Sequence, residues 1–497
     1  MDSNVIVLLL RRVSFYSFGF FNWCLFLGLF IKNGTFFKKD TEQDELQFAI
    51  ERDRFWNLAK APLPGFKHYF HNLRNDLKLH YISNRATPSR DNLVIFIHGF
   101  PDSSMMWRHL MQEPAMPVRD ATLVCVDLPG YGGSDSFKKY DTEVLEALTE
   151  FVVAMRDKYI PPEASEDTNT FIVGHDWGCV LGFRLAAEAS SLADRFILTN
   201  APHVELAFAN KDRILNSASK IFKQFKHAPK QNFGCLSKAF HALKPLMLQT
   251  MLMGYIFAFH LPAALVKYLG TAGNYSFVRG ANRSAYGKGP KEYHAQECMA
   301  SSFGPGPEEC KTSTSAVIGT NGNGVNGEKH GETYGSSVLE RAKSPGEAFW
   351  NMTGYYRDGA GWRPWTKSLE TITDLYALET SASESSSPGR RRSSVSNSLF
   401  VNQYKGSLHA PTCVLWGEKD QACSRPICLD GIGDYLAKDS EVTLLPRSGH
   451  WTPVQSNARP ALATVIGLFA ERAAKPFAMV TAEVQKVYDG AVLVAKK

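Results

Sequence analysis

Short apolar runs recur along the chain, and longer stretches with a helical pattern separate them. The clearest runs are Leu93–Ile97, Thr122–Val126, Phe171–Val173, Phe196–Thr199, Thr412–Trp416 and Val442–Leu445. Continuous β-branched and apolar runs that alternate with helices are typical of parallel strands covered on both faces. Ahead of them, residues 66–73 and 77–82 alternate loosely, as in a β-hairpin. The pattern predicts an α/β fold with a mostly parallel central sheet and helices on both faces.

The alternation stops between about residues 203 and 400. This part begins with an apolar helical stretch, Ile221–Leu269. A later stretch, about 303–346, is rich in Gly, Ser, Thr and Asn, and another, about 379–398, is rich in Ser. We expect both stretches to be disordered because they offer little apolar surface to bury. We therefore divide the chain into an N-terminal segment (1–40), a first part of the core (41–202), a helical insert that carries both low-complexity stretches (203–400) and a second part of the core (401–497).

The N-terminal segment contains an apolar stretch, Phe15–Ile31, with no charged residue over 17 positions. This length is at the lower limit for a membrane-spanning helix. It fits an uncleaved anchor, the signal peptide of a secreted protein, or an interfacial helix. We favour the anchor and expect a membrane protein, with the endoplasmic reticulum as its compartment. Basic residues flank both ends and leave the orientation open: Arg11, Arg12, Lys32, Lys38 and Lys39.

Composition narrows the possible functions. With 44% hydrophobic and 21% charged residues among 497, the chain is of the globular type. Its formal net charge of +6 is modest, and no basic aromatic stripe or nucleic-acid motif accompanies it, so we predict no nucleic-acid partner. The nine cysteines include no CxxC pair, which gives no sign of a zinc or redox site. We expect no cofactor and no metal.

A sharp turn between a strand and a helix carries the candidate nucleophile. The segment Gly174–Gly178 follows the run Phe171–Val173, and a helical stretch comes after it. This context and the small residues at both ends are typical of a nucleophile elbow, where a hydrolase usually has Ser. Here the central residue is Asp176. A carboxylate at this position favours attack on an sp3 carbon, such as that of an epoxide or a carbon–halogen bond, and gives an alkyl ester. Taken alone, the segment also fits a glycine-flanked turn with an Asp helix cap.

Three further segments supply partners for this carboxylate. The first candidate strand ends in His98, Gly99, Phe100 and Pro101. We expect the backbone N–H groups of Phe100 and Trp177 to form an oxyanion hole, with His98, Gly99 and Pro101 supporting the turn.

The candidate base is His450, which follows the last candidate strand. The chain order of nucleophile, acid and histidine in this kind of fold places an acid between Asp176 and His450. Asp420 fits, and Glu418 competes with it because Glu418 lies nearer the strand end.

Taken together, the segments His98–Pro101, Gly174–Gly178, Trp416–Asp420 and Gly449–Trp451 resemble the α/β-hydrolase-fold epoxide hydrolases. The resemblance covers most of residues 55–300 and 345–475. It implies an α/β-hydrolase fold with a helical cap inserted after the sixth strand, and it favours Asp420 over Glu418.

In that family two cap tyrosines hold and protonate the epoxide oxygen. The resemblance assigns these roles to Tyr255 and Tyr356, with Tyr355 as a rival in register. His260 stands where the family commonly has Gln, and the spacing before Tyr356 is longer than usual.

The resulting prediction is an epoxide hydrolase that acts on a lipophilic epoxide and water. An alkyl ester on Asp176 would be hydrolysed by water that the His450–Asp420 pair activates. Two alternatives stay open, a haloalkane dehalogenase and a non-catalytic binding protein of the same fold. A dehalogenase shares the elbow Asp and the Trp after it, but it needs no proton donor and often has Asn where this chain has Phe100. A complete set of nucleophile, acid and base argues against the non-catalytic alternative.

Overall fold

The centre of the protein is a large sheet built from the apolar runs. The computed structural model describes residues 3–164, 168–287, 291–315, 317–320, 326–329, 331–384, 404–470 and 479–497. In chain order its strands are β1 (Lys67–Asn72), β2 (Lys78–Ser83), β3 (Asn92–Ile97), β4 (Ala121–Val126), β5 (Thr170–His175), β6 (Arg195–Thr199), β7 (Val317–Thr320), β8 (Asn326–Lys329), β9 (Thr412–Gly417), β10 (Glu441–Leu445) and β11 (Val492–Lys496).

Among the described residues, nine strands form one sheet in the order β1-β2-β4-β3-β5-β6-β9-β10-β11, and β7 pairs with β8 separately. The pairings from β4 across to β10 are parallel. Antiparallel pairings add β2, β1 and β11 at the two sides. The predicted mostly parallel sheet and the leading hairpin are confirmed. The sequence pattern did not indicate β11, because this edge strand is largely exposed and lacks a buried face.

Helices cover the sheet and fill the insert between β6 and β9. They are α1 (Ser3–Lys32), α2 (Glu42–Trp56), α3 (Glu143–Tyr159), α4 (Trp177–Glu188), α5 (Val204–His227), α6 (Phe233–Leu252), α7 (Gly254–Phe259), α8 (Ala263–Tyr286), α9 (Ala295–Phe303), α10 (Ser336–Lys343), α11 (Pro345–Met352), α12 (Gly354–Asp358), α13 (Leu369–Glu384), α14 (Arg425–Cys428), α15 (Arg459–Ala470) and α16 (Val480–Val487). The insert, from α5 to α13, is called the cap below.

The register of the parallel strands brings their carboxyl ends to one edge of the sheet. Ile97 at the end of β3 pairs with Gly174 of β5, and His175 at the end of β5 pairs with Thr199 of β6. Open α/β sheets bind ligands outside the carboxyl ends of their strands. The turns that carry the candidate functional residues follow these ends, so the fold gathers them on one side.

The expected disorder of residues 303–346 is wrong for residues 303–315, where the hydroxyl of Thr312 accepts the N–H of Leu58 at 3.0 Å, and for the part that follows β8. The hydroxyl of Tyr334 donates to the carbonyl of Trp56 at 2.8 Å, and Val338 is buried. The guanidinium of Arg341 is buried as well and donates to the carbonyl of Gly132 at 3.0 Å. A few side chains that bury apolar area or satisfy backbone carbonyls are enough to order this segment, and the average composition of the stretch conceals them.

The second low-complexity stretch, 379–398, also begins in ordered structure. Helix α13 continues through Glu384, which was expected to lie in a disordered segment. The rest of the stretch, 385–398, lies outside the described residues.

The N-terminal apolar segment forms helix α1, which includes a 28-residue span, Val5–Lys32, long and apolar enough to cross a membrane. One side of α1 packs against the cap. The indole Nε1 of Trp23 donates to the carbonyl of Leu265 at 2.9 Å, and the rings of Phe18 and Phe257 lie 4.9 Å apart. The other side carries exposed apolar residues. Helix α1 therefore belongs to the packing of the cap.

The contact between α1 and α7 is very close. A Cβ at Gly19 would lie 2.5 Å from the carbonyl oxygen of Phe257. A Cβ at Gly254 would lie 2.2 Å from Oδ1 of Asn22. These distances are far below van der Waals contact, so only glycine allows the two backbones to approach in this way.

Candidate active site

Asp176 lies at the turn between β5 and α4 in a backbone conformation that few residues adopt. Its φ is 50° and its ψ is −116°. Two glycines make the turn possible, since a Cβ at Gly178 would lie 2.0 Å from the carbonyl of Ile97 and one at Gly174 would lie 2.4 Å from the carbonyl of Gly178. Unusual backbone angles held by tight surroundings are frequent at functional sites. The structure here has the strand, sharp turn and helix of a nucleophile elbow.

The turn after β3 holds one oxygen of the Asp176 carboxylate. The backbone N–H of Phe100 donates to Oδ1 at 2.7 Å. Gly99 leaves room for this approach, because a Cβ there would lie 2.3 Å from Oδ1. Trp177, the other residue expected to contribute an N–H, is the first residue of α4 and directly follows Asp176. The second oxygen, Oδ2, is turned toward His450 instead, 3.4 Å from its Nε2.

His98, the first residue after β3, holds the turn in place through hydrogen bonds of its ring. It is fully buried, its Nδ1 lies 2.9 Å from the carbonyl of Gly99, and its Nε2 accepts the N–H of Leu128 at 3.0 Å. Burial lowers the pKa of His98. A neutral ring that donates through Nδ1 and accepts through Nε2 satisfies both contacts. The next peptide bond, Phe100–Pro101, is cis.

The candidate base and acid lie together beside Asp176. Nδ1 of His450 is 2.8 Å from Oδ2 of Asp420. The Asp420 side chain is fully buried, and its Oδ1 accepts the N–H groups of Ala422 and Cys423 at 2.7 and 2.8 Å. The rival acid Glu418 is largely exposed. The structure brings Asp420, and not Glu418, to the histidine.

The two candidate tyrosines come from separate helices of the cap and meet above this site. Tyr255 lies on α7 and Tyr356 on α12, with ring centroids 5.8 Å apart. The Tyr356 ring lies 4.9 Å from the ring of Trp177 and 5.7 Å from that of Phe100. The two tyrosines therefore lie on the side of the cap that faces the elbow.

Tyr355, the rival in register, has a different environment. It is fully buried, and its hydroxyl donates to the carbonyl of Pro129 at 2.9 Å. Its ring packs against Tyr131 and Tyr140, with centroids 5.5 and 5.1 Å away. This hydroxyl is already engaged with the backbone, which leaves Tyr356 as the partner of Tyr255.

Comparison with known proteins is consistent with this geometry. A family model described as the alpha/beta hydrolase fold matches residues 92–248, which include the elbow and the turn after β3. The matched residues contain strands β3 to β6 of the sheet described above. The chain has the α/β-hydrolase fold.

The curated relatives of this chain include epoxide hydrolases. The chain is 30% identical over 196 residues to epoxide hydrolase 1 of Caenorhabditis elegans, which is 39% of this chain and 42% of the relative. It is 28% identical over 146 residues to epoxide hydrolase 3 of Xenopus tropicalis, 29% of this chain and 36% of the relative. The chain thus spans less than half the length of each. The resemblance to epoxide hydrolases is confirmed.

One solved structure to which the chain is similar is that of the Cif epoxide hydrolase from Acinetobacter nosocomialis. The two share 14% sequence identity with a TM-score of 0.44, and the alignment covers 83% of this chain and 92% of the other.

The charge state of His450 depends on its two acidic neighbours. Burial opposes the charged imidazolium, but the carboxylates of Asp420 and Asp176 outweigh it and raise the pKa of His450 to about 10. At neutral pH the ring is therefore an imidazolium held between two carboxylates. Loss of either negative charge would lower its pKa and make the ring available as a base.

Both tyrosine hydroxyls remain protonated at neutral pH. Burial, and after it the charge of Asp176, raises the pKa of Tyr255 well above its ordinary value. Burial raises the pKa of Tyr356 in the same direction, with Tyr255 and Asp176 contributing after it. Two phenols that cannot ionise near a carboxylate are suited to donate hydrogen bonds to an oxygen placed between them.

Asn200 contributes a contact that sequence reasoning missed. It follows β6 directly, is buried, and has a φ of 50°. Its Nδ2 donates to Oδ2 of Asp420 at 2.9 Å, and its Oδ1 accepts the hydroxyl of Thr452 at 2.6 Å. Asn200 thus connects the acid to the loop that carries His450. An amide residue just after a strand of the parallel sheet was the available signal.

Aromatic side chains enclose the space between the tyrosines and the elbow. The Phe259 ring lies 5.6 Å from that of Phe100 and 5.4 Å from that of Tyr356. Phe349 lies 6.0 Å from Phe100, and Phe277 lies 5.5 Å from Phe259. Apolar walls with a few convergent polar groups are characteristic of small-molecule sites.

Asp420, Cys423 and His450 place one potential ligand atom each within 4.8 Å of one another. Two of these atoms already bond to each other. A hydrogen bond with Cys428, followed by burial, raises the pKa of the Cys423 thiol well above its ordinary value. A metal needs the deprotonated thiolate as its ligand. The arrangement therefore fits an acid–base pair better than a metal centre.

Proposed function

We propose that this α/β hydrolase is an epoxide hydrolase that converts a lipophilic epoxide into a vicinal diol. The observation that carries the proposal is the tyrosine pair. Tyr255 and Tyr356 face a carboxylate nucleophile across an aromatic chamber, and both hydroxyls remain protonated. An epoxide that opens needs a nucleophile on its carbon and a proton donor on its oxygen, and this arrangement offers both.

In the first step, Oδ2 of Asp176 attacks an epoxide carbon. The carbon–oxygen bond breaks, and the oxygen takes a proton from a tyrosine hydroxyl while the second tyrosine donates a hydrogen bond to it. The product is an alkyl ester of Asp176 with a neighbouring hydroxyl group. Its carbonyl oxygen is Oδ1, which the N–H of Phe100 already contacts. The tyrosinate recovers its proton from water.

In the second step, water attacks the Cγ carbon of the ester. Esterification has removed the charge of Asp176, one of the two charges that raise the pKa of His450, so the ring can lose its proton and act as a base. His450 takes a proton from the water, and Asp420 stabilises the imidazolium that results. The N–H groups of Phe100 and Trp177 stabilise the tetrahedral oxyanion. Its collapse releases the diol and restores the carboxylate.

One observation favours a haloalkane dehalogenase as the second candidate. The indole Nε1 of Trp177 is buried and has no hydrogen-bond partner among the described residues. Such an N–H could stabilise a departing halide. The tyrosine pair argues for the epoxide, because a halide leaves as an anion and needs no proton.

Turnover of a simple substrate pair tests the proposal. With purified full-length protein, we expect styrene oxide to give its diol by chromatography, and a bromoalkane of similar size to release no bromide. Bromide release without diol formation would favour the dehalogenase. If neither substrate reacts while an amide or urea ligand still binds, the protein is a non-catalytic binding protein.

The tyrosines are expected to act in the first step only. Tyr255→Phe and Tyr356→Phe should each lower the rate of ester formation by about 10²-fold, because each removes a proton or hydrogen-bond donor. The rate of ester hydrolysis, followed in a single turnover, should change little. Tyr355→Phe is the matched control, since its hydroxyl contacts only the Pro129 carbonyl in the described structure, and it should leave ester formation unchanged. Equal loss in all three variants would contradict the assignment.

The proposal also places the protein at a membrane, with the endoplasmic reticulum as the compartment. Support comes from the length of α1 and from its packing against the cap, which a cleaved signal peptide would not need. Lipophilic epoxides partition into bilayers, so a membrane position would bring the site to its substrate.

Cell fractionation checks this position. Full-length protein should sediment with endoplasmic reticulum markers and resist extraction by alkaline carbonate. Secreted protein that lacks its first residues would identify α1 as a signal peptide. Complete extraction by carbonate would rule out an anchor and leave the proposed chemistry untouched.

A further inference from the structure

Two long stretches of this chain contain no acidic residue. Residues 3–39 include five Lys or Arg, and residues 213–291 include twelve. The structure joins the two stretches, because α1 from the first packs on α7 and α8 from the second. Two of these basic residues have acidic partners outside the stretches, since Arg279 pairs with Asp40 and Lys267 with Glu347. Within these two stretches the charged side chains are therefore all basic, and most of them have no acidic partner inside the stretches.

Helix α6 presents an apolar stripe to solvent within this region. Phe233, Leu236, Phe240, Met247 and Met251 are all exposed, with 71% of the Phe233 side chain and 74% of Met251 accessible. Their spacing of three, four and seven residues puts them on one face of the helix. A contiguous row of exposed apolar side chains on the surface of a protein marks an interaction site.

Helix α5, which packs against α6, carries a second row of exposed apolar residues. Phe208, Leu215 and Phe222 follow one another at intervals of seven and are each exposed. Leu215 and Phe222 lie within the acid-free stretch, whereas Phe208 precedes it and lies one turn from Asp212, which pairs with Lys211. Exposed lysines lie beside them at the end of the helix, among them Lys223 and Lys226. A helix with apolar residues on one side and lysines next to them is typical of segments that lie in a membrane interface.

The stripe on α6 is continuous with the exposed side of α1. Val7 and Leu10 of α1, both exposed, and Thr250 near the end of α6 line one open groove. Met247 and Met251 flank Thr250 on α6. The N-terminal half of α1 thus runs beside the end of α6, and the apolar residues of both helices form one surface.

We propose that the cap itself docks on a lipid bilayer with anionic headgroups. The docking surface consists of the exposed apolar side of α1 and the stripes of α5 and α6. Apolar side chains enter the acyl boundary, and the lysines contact the headgroups. The protein is then held by two parts of its sequence that are almost two hundred residues apart, and α1 lies along the bilayer surface and does not cross it.

The geometry of α1 supports this orientation. Phe15, Phe18, Trp23 and Phe26 on one side of the helix contact cap residues, so this side is not available to lipid. A helix that crossed the bilayer would draw α7 and α8 in with it, together with the charged Lys267 on α8. Lying in the interface avoids the cost of burying that charge.

A second copy of the chain is a poorer occupant of the same surface. Symmetric dimers use the same patch on both subunits. A dimer through this surface would place two acid-free stretches against each other, and like charges facing across an interface are unfavourable. An anionic bilayer has the opposite charge.

Site-directed fluorescence tests the proposal on the full-length protein. A cysteine replaces Phe240 on α6 and carries an environment-sensitive dye. In the background, the three native cysteines that are not buried, Cys24, Cys235 and Cys310, are changed to serine. The matched control carries the dye at Tyr376 on α13, an aromatic residue 66% exposed on another part of the cap. With phosphatidylserine-containing vesicles, the dye at 240 should shift to the blue and be quenched by lipids with a quencher on the acyl chain, and the dye at 376 should not respond.

Charge variants test the role of the headgroups. K223E/K226E should lower the partition coefficient onto phosphatidylserine-containing vesicles by at least about 30-fold, since each lysine near the surface contributes about 1 kcal/mol and ~1.4 kcal/mol is a factor of ten. The matched control K138E/K139E reverses two exposed neighbouring lysines of the core and should bind as the unchanged protein does. On pure phosphatidylcholine vesicles the two variants should bind alike.

Equal responses of the dyes at 240 and 376 would overturn the proposal. So would a blue shift at 240 that appears without lipid and grows with protein concentration, because a second copy would then cover the surface. Diol formation from a water-soluble epoxide is measured in the same samples. Loss of vesicle binding with normal turnover would reject the docking surface alone, and vesicle binding without turnover would reject the proposed function alone.

Discussion

Asp176→Ala is expected to abolish diol formation, with a loss of at least ~10⁴-fold in turnover. In the proposed mechanism the carboxylate of Asp176 forms the covalent bond. Neither Asp420 nor His450 can replace it, because these two already bond to each other. Measurement of styrene oxide turnover and of the thermal unfolding midpoint separates catalytic from structural loss. We expect the midpoint to stay within a few degrees, since the Asp176 side chain is partly exposed and the substitution leaves the helix that follows intact.

Isotope labelling tests the covalent route independently of any variant. With enzyme in excess in ¹⁸O-water, the first turnover should give unlabelled diol, because its new oxygen comes from Oδ2 of Asp176. The label should appear in the peptide that contains Asp176. Label in the first diol would show direct attack by water on the epoxide and reject the ester.

His450→Gln is expected to stop the reaction after the first step. Glutamine cannot take a proton from water, so the alkyl ester should persist and appear as a mass increase on the intact protein equal to one substrate. Steady-state turnover should fall by at least ~10³-fold. Ester formation itself should continue, because the nucleophile, the Phe100 N–H and both tyrosines are unchanged.

Two observations control this experiment. Asp176→Ala with the same substrate should show no added mass, which locates the ester. The pH dependence should also differ between the steps. In the free protein the pKa of His450 is raised to about 10, whereas the ester lacks the charge of Asp176, so hydrolysis should reach its plateau at a lower pH than this value. Normal turnover in His450→Gln would show that another group is the base.

Much of the sheet and the positions around Asp176 could be predicted, because their signals are local. Each parallel strand is a short apolar run, and Asp176, Asp420 and His450 each follow such a run within a few residues. Parallel strands bring these ends to one edge. The choice between Asp420 and Glu418 needed either the family resemblance or the structure, since both follow β9 and only burial separates them.

Other features depend on contacts between distant parts of the chain. Asn200 shows its role only when β6, the Asp420 loop and Thr452 come together. Tyr334 and Arg341 order a segment of polar composition through contacts with Trp56 and the carbonyl of Gly132. The partners in these contacts lie about 200 residues or more apart in the sequence. Local composition therefore could not reveal them, and it wrongly predicted disorder for that segment.

The close contact between α1 and α7 has a mechanical consequence. Gly19 and Gly254 leave no gap between the two helices, and α7 also carries Tyr255. Any change in the tilt of α1 must therefore move α7 and the hydroxyl of Tyr255 with it. A helix at a bilayer surface responds to the lateral pressure of the lipids around it. In the proposed arrangement, lipid packing density becomes a physical input to the position of the proposed proton donor, alongside temperature and pH.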